Sequence, residues 1–98
     1  MSNSEGYVYF ILNRDTNSVK IGFTRNKDIN KRIKQLQTGC DSVLELLYYV
    51  IGNCTNEKYF HRMFSSDRIR NNGEWFTYSY SIKHWILNDK YIRNNNIK

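Results

Sequence analysis

The stretch GYVYFILNRDTNSVKIGFT, residues 6–24, restricts the fold of this chain more than any other part of it. Two segments rich in Val, Ile, Tyr and Phe, residues 7–13 and 18–24, flank Arg14, Asp15, Thr16 and Asn17, which is turn chemistry, so the stretch reads as a β-hairpin. If the loop holds two or four residues, positions summing to 31 face one another, which pairs Tyr9 with Gly22 and Ile11 with Lys20. Alternation then places Val8, Phe10, Leu12, Val19, Ile21 and Phe23 on one apolar face, with Tyr9 and Lys20 on the other. A phenol, an ammonium and a glycine opposite the phenol leave a gap that suits a phosphate diester. Spacing alone favours a plainer alternative, a solvent-facing lysine beside a packing tyrosine.

Beyond the hairpin, Asp28 is placed to cap a helix over residues 28–38, with Ile29, Ile33 and Leu36 at i, i+4 and i+7 and Gly39 to end it. Residues 43–51 form an apolar run closed by Gly52 and Asn53, a third strand. Thr55 is expected to cap a second helix that turns Phe60, Met63 and Phe64 inward. A polar, basic loop follows over 67–73, then a short aromatic segment, Glu74, Trp75, Phe76 and Thr77. Ser81 is expected to cap a third helix with Ile82, Trp85, Ile86 and Ile92 inward, and residues 93–98 read as a polar, fraying tail. The expected fold class is α+β: a small three-stranded antiparallel sheet flanked by three helices, in the order ββαβα, a short β segment, then α. One domain spans 1–98, with its core over about 6–92.

Charge narrows the partners. Fifteen Lys and Arg against nine Asp and Glu give a net charge of +6 and a pI near 9.4, which favours a polyanion, nucleic acid before an anionic membrane. Arg25, Lys27, Lys31, Lys34, Arg68 and Arg70 supply the basic surface for sequence-independent phosphate contacts, and most of them fit equally well as solvated residues. The sequence offers neither a long apolar span nor a signal-peptide pattern, so an intracellular location, cytoplasmic or nuclear, is expected. Cys40 and Cys54 lack zinc-ligand spacing and read as free thiols.

A series of short motifs, in order, carries a resemblance. YVY at residues 7–9 and KIG at residues 20–22, on the two strands of the hairpin, resemble the signature elements of the GIY-YIG nuclease superfamily. KIGFT, the following RIKQL, then Glu57 and His61 as E-x3-H, and GEWF around Glu74, Trp75 and Phe76 are similar to its phage and large-DNA-virus branch, in which lysine replaces the first tyrosine of YIG. The resemblance covers residues 6–77 and implies a small antiparallel sheet flanked by helices. Tyr7 and Gly22 match its structural positions.

That resemblance implies a divalent-metal-dependent endonuclease acting on phosphodiesters, in DNA rather than RNA, with Mg²⁺ or Mn²⁺ on Glu57. Arg32 matches the arginine that holds the scissile phosphate; without the resemblance it reads as a surface arginine whose stem crosses the core edge. Tyr9, its acidity raised by Lys20, assists an attacking water, and either Tyr9 or Lys20 takes the proton. His61 orients a water or Glu57, or is a satisfied structural histidine. Glu74 reads as structural, beside its aromatic neighbours. Asn71 and Asn72 loosely match a late asparagine of the family. At Leu36 the chain departs from the family, many of whose members carry a Tyr or His there. This departure keeps a second reading open: a relative of weak or no activity that binds nucleic acid or a host protein. A homodimer, which would cut both strands where a monomer nicks one, is also open.

Overall fold

The computed structural model describes residues 5–70 and 73–95. Strands β1 (Gly6–Asn13) and β2 (Ser18–Thr24) form the hairpin, followed by helix α1 (Ile29–Gln37), strand β3 (Leu44–Gly52), helix α2 (Cys54–Met63), a 3-10 turn (Ser65–Asp67), strand β4 (Trp75–Thr77) and helix α3 (Tyr80–Asn95). The four strands form one antiparallel sheet in the order β3-β1-β2-β4. The sheet is thus four-stranded where three strands are expected, because Phe76 and its neighbours pair with the outer edge of β2, Val19 facing Phe76 and Lys20 facing Trp75.

The hairpin register is as the alternation requires, with Tyr9 opposite Gly22 and Ile11 opposite Lys20. Its loop is built locally: Asn13 Oδ1 accepts from the backbone N–H of Asp15 at 3.0 Å, and Asn17 takes the left-handed conformation, φ 53°.

Each face of the sheet has its own apolar cluster. On one, Val8, Phe10, Val19, Ile21, Phe76 and Ile82 are fully buried, and α2 and α3 close the layer through Phe60, Phe64, Trp85 and Ile86. On the other, Tyr9, Ile11 and Leu44 pack against Ile29, Ile33 and Leu36 of α1. A bulge at Leu47, between the pairs Phe10–Tyr48 and Ile11–Leu46, turns Leu47 and Tyr48 toward the first cluster and Leu46 toward the second. Fully burying a side chain such as Phe10 or Ile21 contributes roughly 1.5–3 kcal/mol, so the first cluster dominates the stability.

Asp28 caps α1 as expected, accepting from the N–H groups of Asn30 and Lys31. The other two caps fall two residues before the expected ones. Asn53, not Thr55, caps α2, because its side chain exchanges hydrogen bonds with Asn56 in a capping box. Ser79, not Ser81, stands at the start of α3, its hydroxyl accepting from Ile82 N at 3.3 Å while it donates to Asp67 Oδ2 at 2.7 Å. Met63 and Ile92 point outward, 38% and 45% exposed, because the inward arcs of their helices are filled by Phe60, Phe64, Ile82 and Ile86. Residues 93–95, expected in a fraying tail, belong to α3, which runs to Asn95, and 96–98 lie outside the described residues. Both cysteines are free thiols. Among the described residues no helix is long and apolar enough to cross a membrane.

Candidate active site

Gly22 is where the two strands of the hairpin create the site. The gap expected opposite Tyr9 is filled by Tyr9 itself: a Cβ built on Gly22 would lie 2.4 Å from the Tyr9 hydroxyl oxygen. The tyrosine is 1% exposed, and its hydroxyl accepts from Arg32 Nε at 3.4 Å. Arg32 Nη1 reaches Gln35 Oε1, also at 3.4 Å, so the guanidinium lies along the edge of α1. Leu36, one turn further on, packs into the apolar cluster beneath and offers no polar group.

Lys20 is two residues from Gly22 on the same strand face, about 6.6 Å away by strand geometry. Its partner is not Tyr9. The ammonium donates to Glu74 Oε1 at 2.8 Å and stands 5.9 Å from the centre of the Trp75 ring. Glu74 precedes β4, where its carbonyl accepts from Ile21 N at 2.9 Å and so extends the ladder by one bond. This pairing brings a residue read as structural into the polar cluster.

Glu57 reaches the same cluster from α2, on the opposite face of the sheet. Burial pushes its carboxyl up to about 7; the negative Glu74, to which protonated Glu57 donates a hydrogen bond, adds to this, and Lys20 and Lys58 oppose it. His61, one turn after Glu57, has Nε2 2.8 Å from the Ile21 carbonyl oxygen and 3.8 Å from Glu57 Oε2.

The remaining sequence candidates divide into four groups. Arg68, expected on the nucleic-acid surface, is engaged internally: Nε donates to the Gly73 carbonyl at 2.8 Å, Nη2 faces His61 Nδ1 at 3.4 Å, and the guanidinium lies 5.8 Å from the centre of the Phe76 ring. Lys27, Lys31, Lys34 and Arg70 are exposed, as is Arg25, whose guanidinium lies 5.4 Å from the Phe23 ring. Tyr7 packs edge-on against Tyr49 at 5.2 Å, Trp75 joins the Tyr9 cluster and Phe76 is fully buried, so these three act in packing. Asn71 and Asn72 lie outside the described residues. Arg70 and Trp75 also line a hollow of about 650 Å³ beside Asn13 and Ser18.

The site therefore consists of two adjoining parts, Tyr9 with Arg32 over Gly22, and Lys20 with Glu74, Glu57 and His61 at the end of β4. The site thus sets an ammonium against carboxylates, with a guanidinium on the neighbouring pair, all around one small antiparallel sheet. The chain belongs to the T5orf172 domain family, whose model matches residues 6–89, a phage-associated, nuclease-like family. No curated protein and no solved structure matches the chain.

Proposed function

We propose that this protein is a divalent-metal-dependent endonuclease that hydrolyses phosphodiester bonds in DNA, using the site that joins Arg32, Lys20 and Glu57. The observation that carries the reading is the position of Glu57, a carboxyl held in a partly desolvated place beside a second carboxylate, where burial first and the negative Glu74 next penalise its charge. Lys20 pairs with Glu74, and an ion of charge +2 would offset both carboxylates.

The donors fit such an ion. Glu57 and Glu74 offer oxygen, which suits hard cations such as Mg²⁺ or Mn²⁺. Among the described residues no group of three or more His, Cys, Asp and Glu gathers to hold a metal, so phosphate oxygens and water would complete the coordination. When bound, the ion supplies positive charge to the phosphoryl oxygens and to the attacking water.

The chain's own residues do the rest. Tyr9 holds Nε of Arg32 and so aims the guanidinium, whose terminal nitrogens grip the phosphate and offset charge in the transition state. Lys20 exchanges its bond to Glu74 for one to the phosphate or to the attacking water. The exposed lysines 27, 31 and 34 hold the flanking backbone without reading bases. A competing reading, binding without cleavage, draws on the near-complete burial of Tyr9 and on the apolar side chain of Leu36.

Binding and cleavage are separable in one experiment with a labelled duplex. Anisotropy in EDTA gives the affinity, and addition of Mn²⁺ starts a single turnover. Glu57→Ala is expected to bind within a few-fold of wild type and to leave the duplex uncut. A wild-type protein that binds and never cuts would establish the competing reading.

A further inference from the structure

The Ile21 carbonyl marks the place where the outer ladder of β2 runs out. Ile21 N–H is taken by Glu74 O, but β4 ends there, and the carbonyl on the same side of a fully buried residue would have no strand partner. His61 Nε2 fills that role at 2.8 Å. A carbonyl accepts and cannot donate, so Nε2 must carry a proton.

The other ring nitrogen faces Arg68 Nη2 at 3.4 Å. A guanidinium donates and has no acceptor, so a proton on Nδ1 would set two donors against each other. Arg68 in turn is fixed by its bond to Gly73 O and by the face of the Phe76 ring. The run of contacts from Gly73 through Arg68 and His61 to Ile21 joins the loop before β4, helix α2 and strand β2.

We propose that Arg68 is a positioning residue: it holds His61 in the Nε2–H tautomer, and through that ring it fixes the height and rotation at which α2 presents Glu57 to Lys20 and Glu74. Glu57 lies one turn before His61 on the same face of α2, so a ring that let go of Ile21 would release the carboxylate as well. The inference rests on the nuclease reading for its catalytic consequence, and on hydrogen-bond chemistry alone for the tautomer. It moves Arg68 from the DNA-contacting surface to the support of the site.

Two-bond ¹⁵N–¹H correlation spectra of histidine-labelled protein, taken where the ring is neutral, read the tautomer directly. Wild type is expected to show Nε2–H at His61, and Arg68→Met a mixture of both forms. Cleavage by Arg68→Met at saturating DNA should slow by about 10- to 100-fold, the usual effect of removing a supporting contact. DNA affinity and its salt dependence should stay unchanged, and Arg68→Lys, which keeps a donor facing Nδ1, should recover part of the rate. An Nδ1–H tautomer in wild type overturns the proposal whether or not the variants fold. So does weaker DNA binding with a shallower salt slope and an unchanged tautomer in Arg68→Met, the pattern of a lost phosphate contact. A wild type that cuts nothing yet shows the Nε2–H form, lost in Arg68→Met, upholds the positioning role and refutes the nuclease reading.

Discussion

The Tyr9 side chain occupies the space that Gly22 leaves: a Cβ on Gly22 would lie 2.4 Å from the tyrosine oxygen and 2.5 Å from the ring carbon that bears it. Strand pairing puts the two residues opposite each other, and the ring, 1% exposed, has nowhere to retreat. Gly22→Ala is therefore expected to destabilise the protein by about 1–3 kcal/mol through overpacking. In a Tyr9→Leu background the same change should cost much less, a coupling that urea denaturation of the four proteins would measure. Equal costs in both backgrounds would contradict the contact.

Glu57 makes the metal-free protein less stable at alkaline pH. Its folded value of about 7 exceeds the unfolded 4.5, so between those values the folded state binds more protons. Stability attached to this group is present below about pH 4.5 and is lost as pH rises through 7. Thermal melts in EDTA should show Glu57→Gln more stable than wild type at pH 8, by roughly 2 kcal/mol, and the gain should vanish below about pH 4.5. A variant that is less stable at both pH values would show that Glu57 serves packing.

Away from the site, the Tyr48 hydroxyl donates to Asp89 Oδ2, which also accepts from Arg93 Nε at 2.7 Å, tying β3 to α3. Burial alone would push the Asp89 carboxyl up, but the hydrogen bonds from Tyr48 and Arg93 outweigh it and hold the group below its ordinary value. Burial, then Asp89, pushes the Tyr48 phenol up to about 12. The carboxylate's contribution is present above the ordinary carboxylate range and lost as pH falls below it. The phenol's contribution is present below about pH 10 and lost as pH rises toward 12. Tyr48→Phe should cost about 1 kcal/mol at neutral pH and flatten the acid limb of the stability curve, as read by thermal melts.

Lys27 before α1, and Lys31 and Lys34 along it, are exposed on either side of Arg32 in the chain. Replacing any one of them with Gln should weaken DNA binding alike for all sequences and reduce the slope of log affinity against log salt by about 1. Anisotropy titrations at several salt concentrations would test this. An unchanged slope in all three variants would move the DNA surface elsewhere.

The hairpin was readable in full because alternation and an even loop together leave one register, and Asp28 as a cap because it directly precedes the apolar spacing of α1. Other features were hidden for local reasons. The short β segment was legible, but three residues, Trp75 to Thr77, do not announce that they pair with β2 as a fourth strand, and Asn53 and Ser79 each stand two residues from a second good capping residue. Lys20 and Glu74 are 54 positions apart, so no spacing links them. The glutamate at the start of GEWF, between a glycine and an aromatic strand, was the one signal available for it. Burial of Tyr9 follows from the packing of α1 over the second face, which an apolar pattern on one helix does not reveal.

Incubation of the purified protein with supercoiled plasmid at low salt, with Mg²⁺ or Mn²⁺ and with EDTA, beside Glu57→Gln and Arg32→Ala, decides whether this protein is a metal-dependent nuclease. Nicked or linear plasmid that requires the metal and is lost in both variants is the expected result. Plasmid left supercoiled by the wild type with either metal, or cleavage that survives in Glu57→Gln, would contradict it.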